Sequence, residues 1–105
     1  MGYLVAYTID TDDPSSRDQL MELFINNLDG YDPTVNECKW YEMETDCKEV
    51  SLVYPHLIVV TCRGEDGEVW KDAYQNGKCV WHWQLDYTIP TMEDIIQALR
   101  SATKP

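Results

Sequence analysis

Apolar residues recur along this chain at two spacings, and the switch between them marks its elements. Tyr3–Ile9 reads YLVAYTI, nearly continuous in apolar and β-prone residues, a pattern that suits a central strand. Beyond the polar DTDDPSS, Leu20, Phe24 and Leu28 fall at i, i+4 and i+8, with Met21 and Ile25 beside them. That period predicts a helix over about 15–28. Asp13 or Ser15 can cap it, and Pro14 is tolerated in its first turn. Asp29-Gly30 ends it, and YDPTVN is a loop. Glu37–Met43 (ECKWYEM) predicts a second strand. The next stretch admits two readings. Thr45-Asp46 can open a short helix, with Asp46 and Glu49 spaced as a capping box and Cys47, Val50 and Tyr54 on its inner side. A strand over Val50–Tyr54 is the competing reading. Pro55 disfavours helical backbone at Tyr54, so the helix would stop there.

Leu57–Cys62 (LIVVTC) is the clearest strand, and GEDG after it is a turn. Glu68–Tyr74 and Lys78–Leu85 flank Asn76-Gly77, the strongest short-range hairpin signal, because a type I′ turn needs positive φ at both central residues. Pro90-Thr91 precedes a helix of about 92–102, with Thr91 as its cap, Asp94 at N3, and Met92, Ile95, Ile96 and Leu99 as its stripe. The order β-α-β-α-β-β-β-α implies an α+β fold. We expect a two-layer sandwich with an antiparallel-rich sheet and its helices on one face, loosely ferredoxin-like. Strict alternation puts Cys79, Trp81, Trp83 and Leu85 on one face of the last strand, toward the helices, and Val80, His82 and Gln84 on the other. Trp70 and Tyr74 lie on either face, depending on register.

Length adds one domain, residues 1–105, with one modest core. Apolar runs such as Leu57–Val60 are too short to span a bilayer. The start MGYLVAYTID has neither a basic segment nor a small-residue cleavage site, so we expect a cytoplasmic protein without a signal peptide. Cys38, Cys47, Cys62 and Cys79 contain no close pair and are expected to be reduced thiols.

Charge changes the picture most. Nineteen acidic residues face eight basic ones, for a net charge of −11. The excess is concentrated between residues 10 and 49, where Arg17, Lys39 and Lys48 oppose Asp10, Asp12, Asp13, Asp18, Glu22, Asp29, Asp32, Glu37, Glu42, Glu44, Asp46 and Glu49. Such a surface repels nucleic acid and membrane phosphates and steers basic protein surfaces toward it. It presents carboxylates where a nucleic acid presents phosphates.

Other chemistry finds less support. Structural zinc needs a tight ligand pair, and the nearest approach, Cys79 and His82, alternates across a strand. Asp10-Thr11-Asp12-Asp13 lacks the EF-hand continuation. GEDGE lacks the Lys-Ser/Thr of a phosphate loop and precedes a strand. No metal or cofactor is expected. Glu42 and Glu44 share a strand face, the pattern of a solvated edge.

The segment 39–78 resembles a recurrent block in small uncharacterised proteins of phages and mobile elements. Lys39-Trp40-Tyr41, Tyr54-Pro55, Gly64-Glu65, Glu68, Trp70, Tyr74 and Asn76-Gly77-Lys78 carry the likeness. The resemblance implies a helix before Tyr54-Pro55 and a phage or mobile-element origin, with host-defence inhibition as an associated role. The expectation is therefore a non-enzymatic interaction protein that inhibits a host nucleic-acid-handling protein of the CRISPR or restriction kind by binding its basic surface. Asp10, Asp12, Asp13, Asp18, Glu42, Glu44 and Asp46 would supply charge, with Tyr41 or Trp70 as an anchor. Two alternatives stand beside it: a small enzyme or ligand-binding domain using His82 and nearby carboxylates, and a scaffold that self-associates, as a homodimer, through a sheet face or edge.

Overall fold

Asn76 and Gly77 have φ of 54° and 79°, the positive pair of a type I′ turn. They fold β3 (Val69–Gln75) back on β4 (Lys78–Gln84). In this computed structural model, which describes residues 4–35, 37–65, 67–84 and 91–103, that hairpin is half of one antiparallel sheet. β1 (Val5–Thr11) and β2 (Ile58–Gly64) complete it in the order β1-β2-β3-β4. Three helices accompany the sheet: α1 (Arg17–Asn27), entered through a 3₁₀ turn at Pro14–Ser16, α2 (Met43–Val53) and α3 (Met92–Thr103). The class is α+β. Tyr3, Asp66, Leu85 and Pro90, all used in the sequence reading, lie outside the described residues.

The helices cover both faces of the sheet, so the two-layer expectation becomes three layers. On one face α1 and α2 bury Leu20, Phe24, Cys47 and Val50 against Val5, Tyr7, Ile9, Ile58, Val60, Cys62 and Tyr74. On the other, Ile95 of α3 packs on Leu57, Val59 and Ala73, with Trp81 and Ile96 at the margin. β2 is the strand that both layers share, and its residues Ile58–Cys62 are all buried. β1 is an edge strand and not the central one expected: Val5, Tyr7, Ile9 and Thr11 are buried while Thr8 and Asp10 are exposed. α3 opens with Thr91 as cap and Asp94 at N3, as read in the sequence, and the two form a reciprocal capping box. Thr91 Oγ1 accepts the Asp94 N–H at 3.1 Å, and an Asp94 carboxylate oxygen accepts the Thr91 N–H at 2.9 Å.

The strand expected at Glu37–Met43 does not form. Its ladder is one bridge, in which Val5 and Cys38 exchange backbone hydrogen bonds of 3.1 and 3.0 Å. Trp40 then turns inward. Its ring meets Tyr7 (5.1 Å, 80°) and Phe24 (5.8 Å, 83°) edge to face, and its indole N–H donates to Asp46 at 2.8 Å. Asp46 also accepts the Asn27 amide at 3.2 Å. A carboxylate read as half of a capping box instead ties the loop to both helices, and α2 starts earlier, at Met43.

At the other end of α2, the buried Tyr54 hydroxyl joins Thr11 Oγ1 (2.9 Å) and Ser16 Oγ (2.6 Å). It links helix end, strand end and helix start. Tyr54→Phe keeps the ring and leaves the buried Thr11 short of one partner, so a loss of about 1–2 kcal/mol is expected in urea denaturation.

Candidate functional site

α1 and α2 run antiparallel. Asn27, at the end of α1, bonds Asp46 in the first turn of α2, while Ser16, before α1, bonds Tyr54, after α2. The acidic residues singled out above therefore form two groups at opposite ends of this helical layer, separated by the ~16 Å that an 11-residue helix spans. They do not make one patch.

The first group lies where β1 ends. Asp10 is exposed and accepts the Thr11 N–H at 3.0 Å. Asp12 accepts the Leu57 N–H at 3.0 Å and so anchors the entry to β2. Asp13 accepts the Ser15 hydroxyl at 2.8 Å and lies 3.1 Å from His56 Nε2. Hydrogen bonds from Ser15 and Ser16 hold its carboxyl below the usual range. Asp18 is exposed in the first turn of α1, where a negative charge suits the helix dipole. The second group surrounds the start of α2. Glu42 is exposed, Glu44 pairs with Lys48 at 2.8 Å, and Asp46 is the structural acceptor of Trp40 and Asn27. The Lys48 ammonium lowers the Glu44 carboxyl.

The two groups are joined along the outer side of the layer by Glu22 of α1 and Glu49 of α2, both exposed. Among the described residues, the side chains of Asp18, Glu22, Glu42 and Glu49 have no ion pair. Sequence reasoning counted Glu22 and Glu49 and passed over them as site residues; their place on the helices' polar faces was the signal that singles them out.

Of the two aromatic anchors, Tyr41 stands 84% exposed beside Glu42. Trp70 is partly buried and packs on the main core. Apolar surface appears elsewhere on α2. Leu52 and Val53, in its last turn, are 70% and 67% exposed. Between the helices runs a groove of about 370 Å³ lined by Leu23, Asn26, Asn27, Glu49, Val50 and Val53. A second cleft, of about 260 Å³, lies beside α3 and is lined by Asp12, Leu57, Gln75, Ile96, Leu99 and Arg100.

His82 sits on the α1–α2 face of the sheet, because it pairs with Asp72, which pairs in turn with Val60. Its Nδ1 is hydrogen-bonded to the Asp72 carboxylate. A bulge changes the reading of this strand. Ala73 pairs with Trp81 while Tyr74 pairs with Cys79, so Val80 is the extra residue. Cys79 and His82 therefore share a face, and Trp81 falls on the α3 side; strict alternation had grouped Cys79 with Trp81. Burial and the Asp72 charge push the Cys79 thiol up, so it stays protonated at neutral pH. The carboxylate that orients the imidazole thus also disfavours the thiolate of the neighbouring Cys79.

Among the described residues, no three His, Cys, Asp or Glu side chains come together as metal ligands, and no helix is long and apolar enough to cross a membrane. Cys47 and Cys62 are buried free thiols, Cys38 is half-buried and Cys79 exposed. No family model, curated protein or solved structure matches this chain.

Proposed function

We propose that this is a non-enzymatic interaction protein that binds a basic, nucleic-acid-handling surface of another protein through the outer side of its α1–α2 layer. The observation that carries the reading is the run of exposed carboxylates along that side, Asp18, Glu22, Glu42 and Glu49, none of them in an ion pair among the described residues. Unpaired surface charge of one sign does little for the fold. It does raise the rate at which a cationic partner is captured and its selectivity. Tyr41 beside Glu42 adds the amphipathic side chain that interfaces favour. The resemblance of residues 39–78 to phage and mobile-element proteins supports a host-defence target of the CRISPR or restriction kind.

The test is capture from host lysate on the immobilised protein, with washes at about 0.1 M and about 0.5 M salt, since the Debye length shrinks well below ~10 Å over that range. Recovered proteins should bind nucleic acid, and short duplex DNA should displace them. Partners that are neutral or acidic, or that survive both treatments, would refute the reading.

The Asp72–His82 pair favours one other role. An imidazole held at Nδ1 by a carboxylate, with the ring 52% exposed, is oriented to act as a base or ligand through Nε2. His82→Ala should leave partner capture unchanged on the first reading and abolish activity on this one.

A further inference from the structure

We infer that the groove between α1 and α2 is a docking site for a cationic amphipathic helix of the partner protein, an inference that rests on the reading of this layer as the interaction surface. The floor is apolar: Leu23 of α1 and Val50 and Val53 of α2 line it, and Val53 is exposed at 67% although it closes a helix whose other side is fully packed. The rim is anionic. Glu49 lines the groove itself. Glu22 lies one helical turn before Asn26, an i, i+4 neighbour of a lining residue. The cations of the same two helices are turned elsewhere. Arg17 Nη2 donates to the Ile9 carbonyl at 3.0 Å, and Lys48 is held by Glu44 at 2.8 Å.

An apolar floor between carboxylate rims complements an apolar stripe flanked by lysine and arginine. The walls also select the shape of the occupant. Both are helices whose backbone hydrogen bonds are internal, so they offer an extended peptide no edge to pair with and offer side-chain knobs at i, i+3/i+4 and i+7 a slot. An 11-residue wall of ~16 Å accommodates about three turns of such a helix. A second copy of this chain, with net charge −11, would bring carboxylates against carboxylates, and anionic lipid would do the same with phosphates.

The experiment titrates isotope-labelled full-length protein with two probes of equal charge: a synthetic Leu/Lys amphipathic helix of about 14 residues, and unstructured oligolysine. Amide resonances and affinities are followed at low salt. The helical peptide should shift Leu23, Asn26, Asn27, Val50 and Val53, and Val53→Ser should weaken it about fivefold to tenfold, the burial of one valine, while oligolysine affinity stays constant. Val53 is exposed, so this substitution leaves the fold intact. Glu49→Gln should weaken both probes. Two results would overturn the inference. If the two probes bind alike, are indifferent to Val53→Ser and shift the end groups around Asp10–Asp13 and Glu42–Glu44, the groove is not the site while the charge reading stands. If neither probe binds, both fall together.

Discussion

Phe24→Ala is expected to cost about 3–5 kcal/mol of unfolding free energy, a large share of the ~5–15 kcal/mol that holds a domain of this size together. Phe24 is fully buried on the inner side of α1. Its ring takes the edge-to-face contact of Trp40, which in turn meets Tyr7 and hands its indole proton to Asp46. Removing the phenyl ring leaves a cavity and loosens Trp40, the side chain that anchors the stretch 37–42 beside the backbone bridge from Cys38 to Val5. The coupling can be measured separately. Trp40→Phe keeps an aromatic plug and loses the indole donor, so Asp46 gives up one bond, a cost of about 1–2 kcal/mol. A double-mutant cycle over Phe24 and Trp40 should return about 0.5–1.5 kcal/mol of interaction. Urea denaturation followed by circular dichroism is the measurement. A loss below about 1.5 kcal/mol for Phe24→Ala would mean that Trp40 does not depend on this ring.

That packing explains which parts of the architecture were readable. Elements whose pattern is local were legible: the positive-φ turn at Asn76-Gly77, the capping box of Thr91 and Asp94, the apolar repeat of Leu20 and Phe24. The helix before Tyr54-Pro55 was also legible, though from the resemblance more than from period. The residues 37–43 misled because ECKWYEM alternates like a strand, yet Trp40 is consumed by a tertiary contact and the ladder stops after Cys38. The Val80 bulge was invisible, since an extra residue in a strand leaves the composition unchanged and reverses every side chain beyond it. The second covered face did have a signal. Five consecutive buried residues in β2, Ile58–Cys62, require cover on both sides of the sheet, and α3, with its own apolar stripe, was available to supply it.

The candidate site was legible in kind and not in place. Composition located the negative charge between residues 10 and 49, and the helices carry much of it. What sequence cannot convey is which carboxylates the fold consumes. Asp12, Asp13 and Asp46 are acceptors for Leu57, Ser15, Trp40 and Asn27, so they fix the ends of the helical layer. Glu22 and Glu49 stay exposed, in no ion pair among the described residues. Division of labour between two kinds of carboxylate also makes the proposed binding residues separable from the structural ones by mutation. Charge removal at Glu22 and Glu49 should leave stability within about 0.5 kcal/mol, whereas loss of Asp46 should not.

High pH should unfold the protein steeply, and the cause is a set of buried acids that must stay neutral. Burial, more than the charge of nearby groups, raises the Cys62 thiol to about 12 and the Tyr7 hydroxyl to about 12, and pushes Cys47 and Tyr74 up as well. All four side chains belong to the core shared by α1, α2 and the sheet. In the unfolded chain the thiols ionise near 9.0 and the phenols near 10.0. Between those values and about 12 the folded protein therefore holds more protons than the unfolded one, and stability falls as pH rises. At neutral pH all four are protonated in both states and contribute no slope, and the unfolded thiols begin to ionise as the pH nears 9.0. Above about 9.0 each thiol, and above about 10.0 each phenol, adds up to about 1.4 kcal/mol of destabilisation per pH unit, so together they remove several kcal/mol by about pH 11. Ellipticity recorded against pH should show a cooperative loss between about pH 10 and about pH 11.5, reversible on return to neutrality. Replacing Cys47 and Cys62 by Ala together removes two of the four groups. That variant is less stable at pH 7 because of the cavities, yet its free energy of unfolding should fall with pH from 9 to 10 far less steeply. An unchanged slope in the double variant would mean that the thiols ionise as readily in the core as in water.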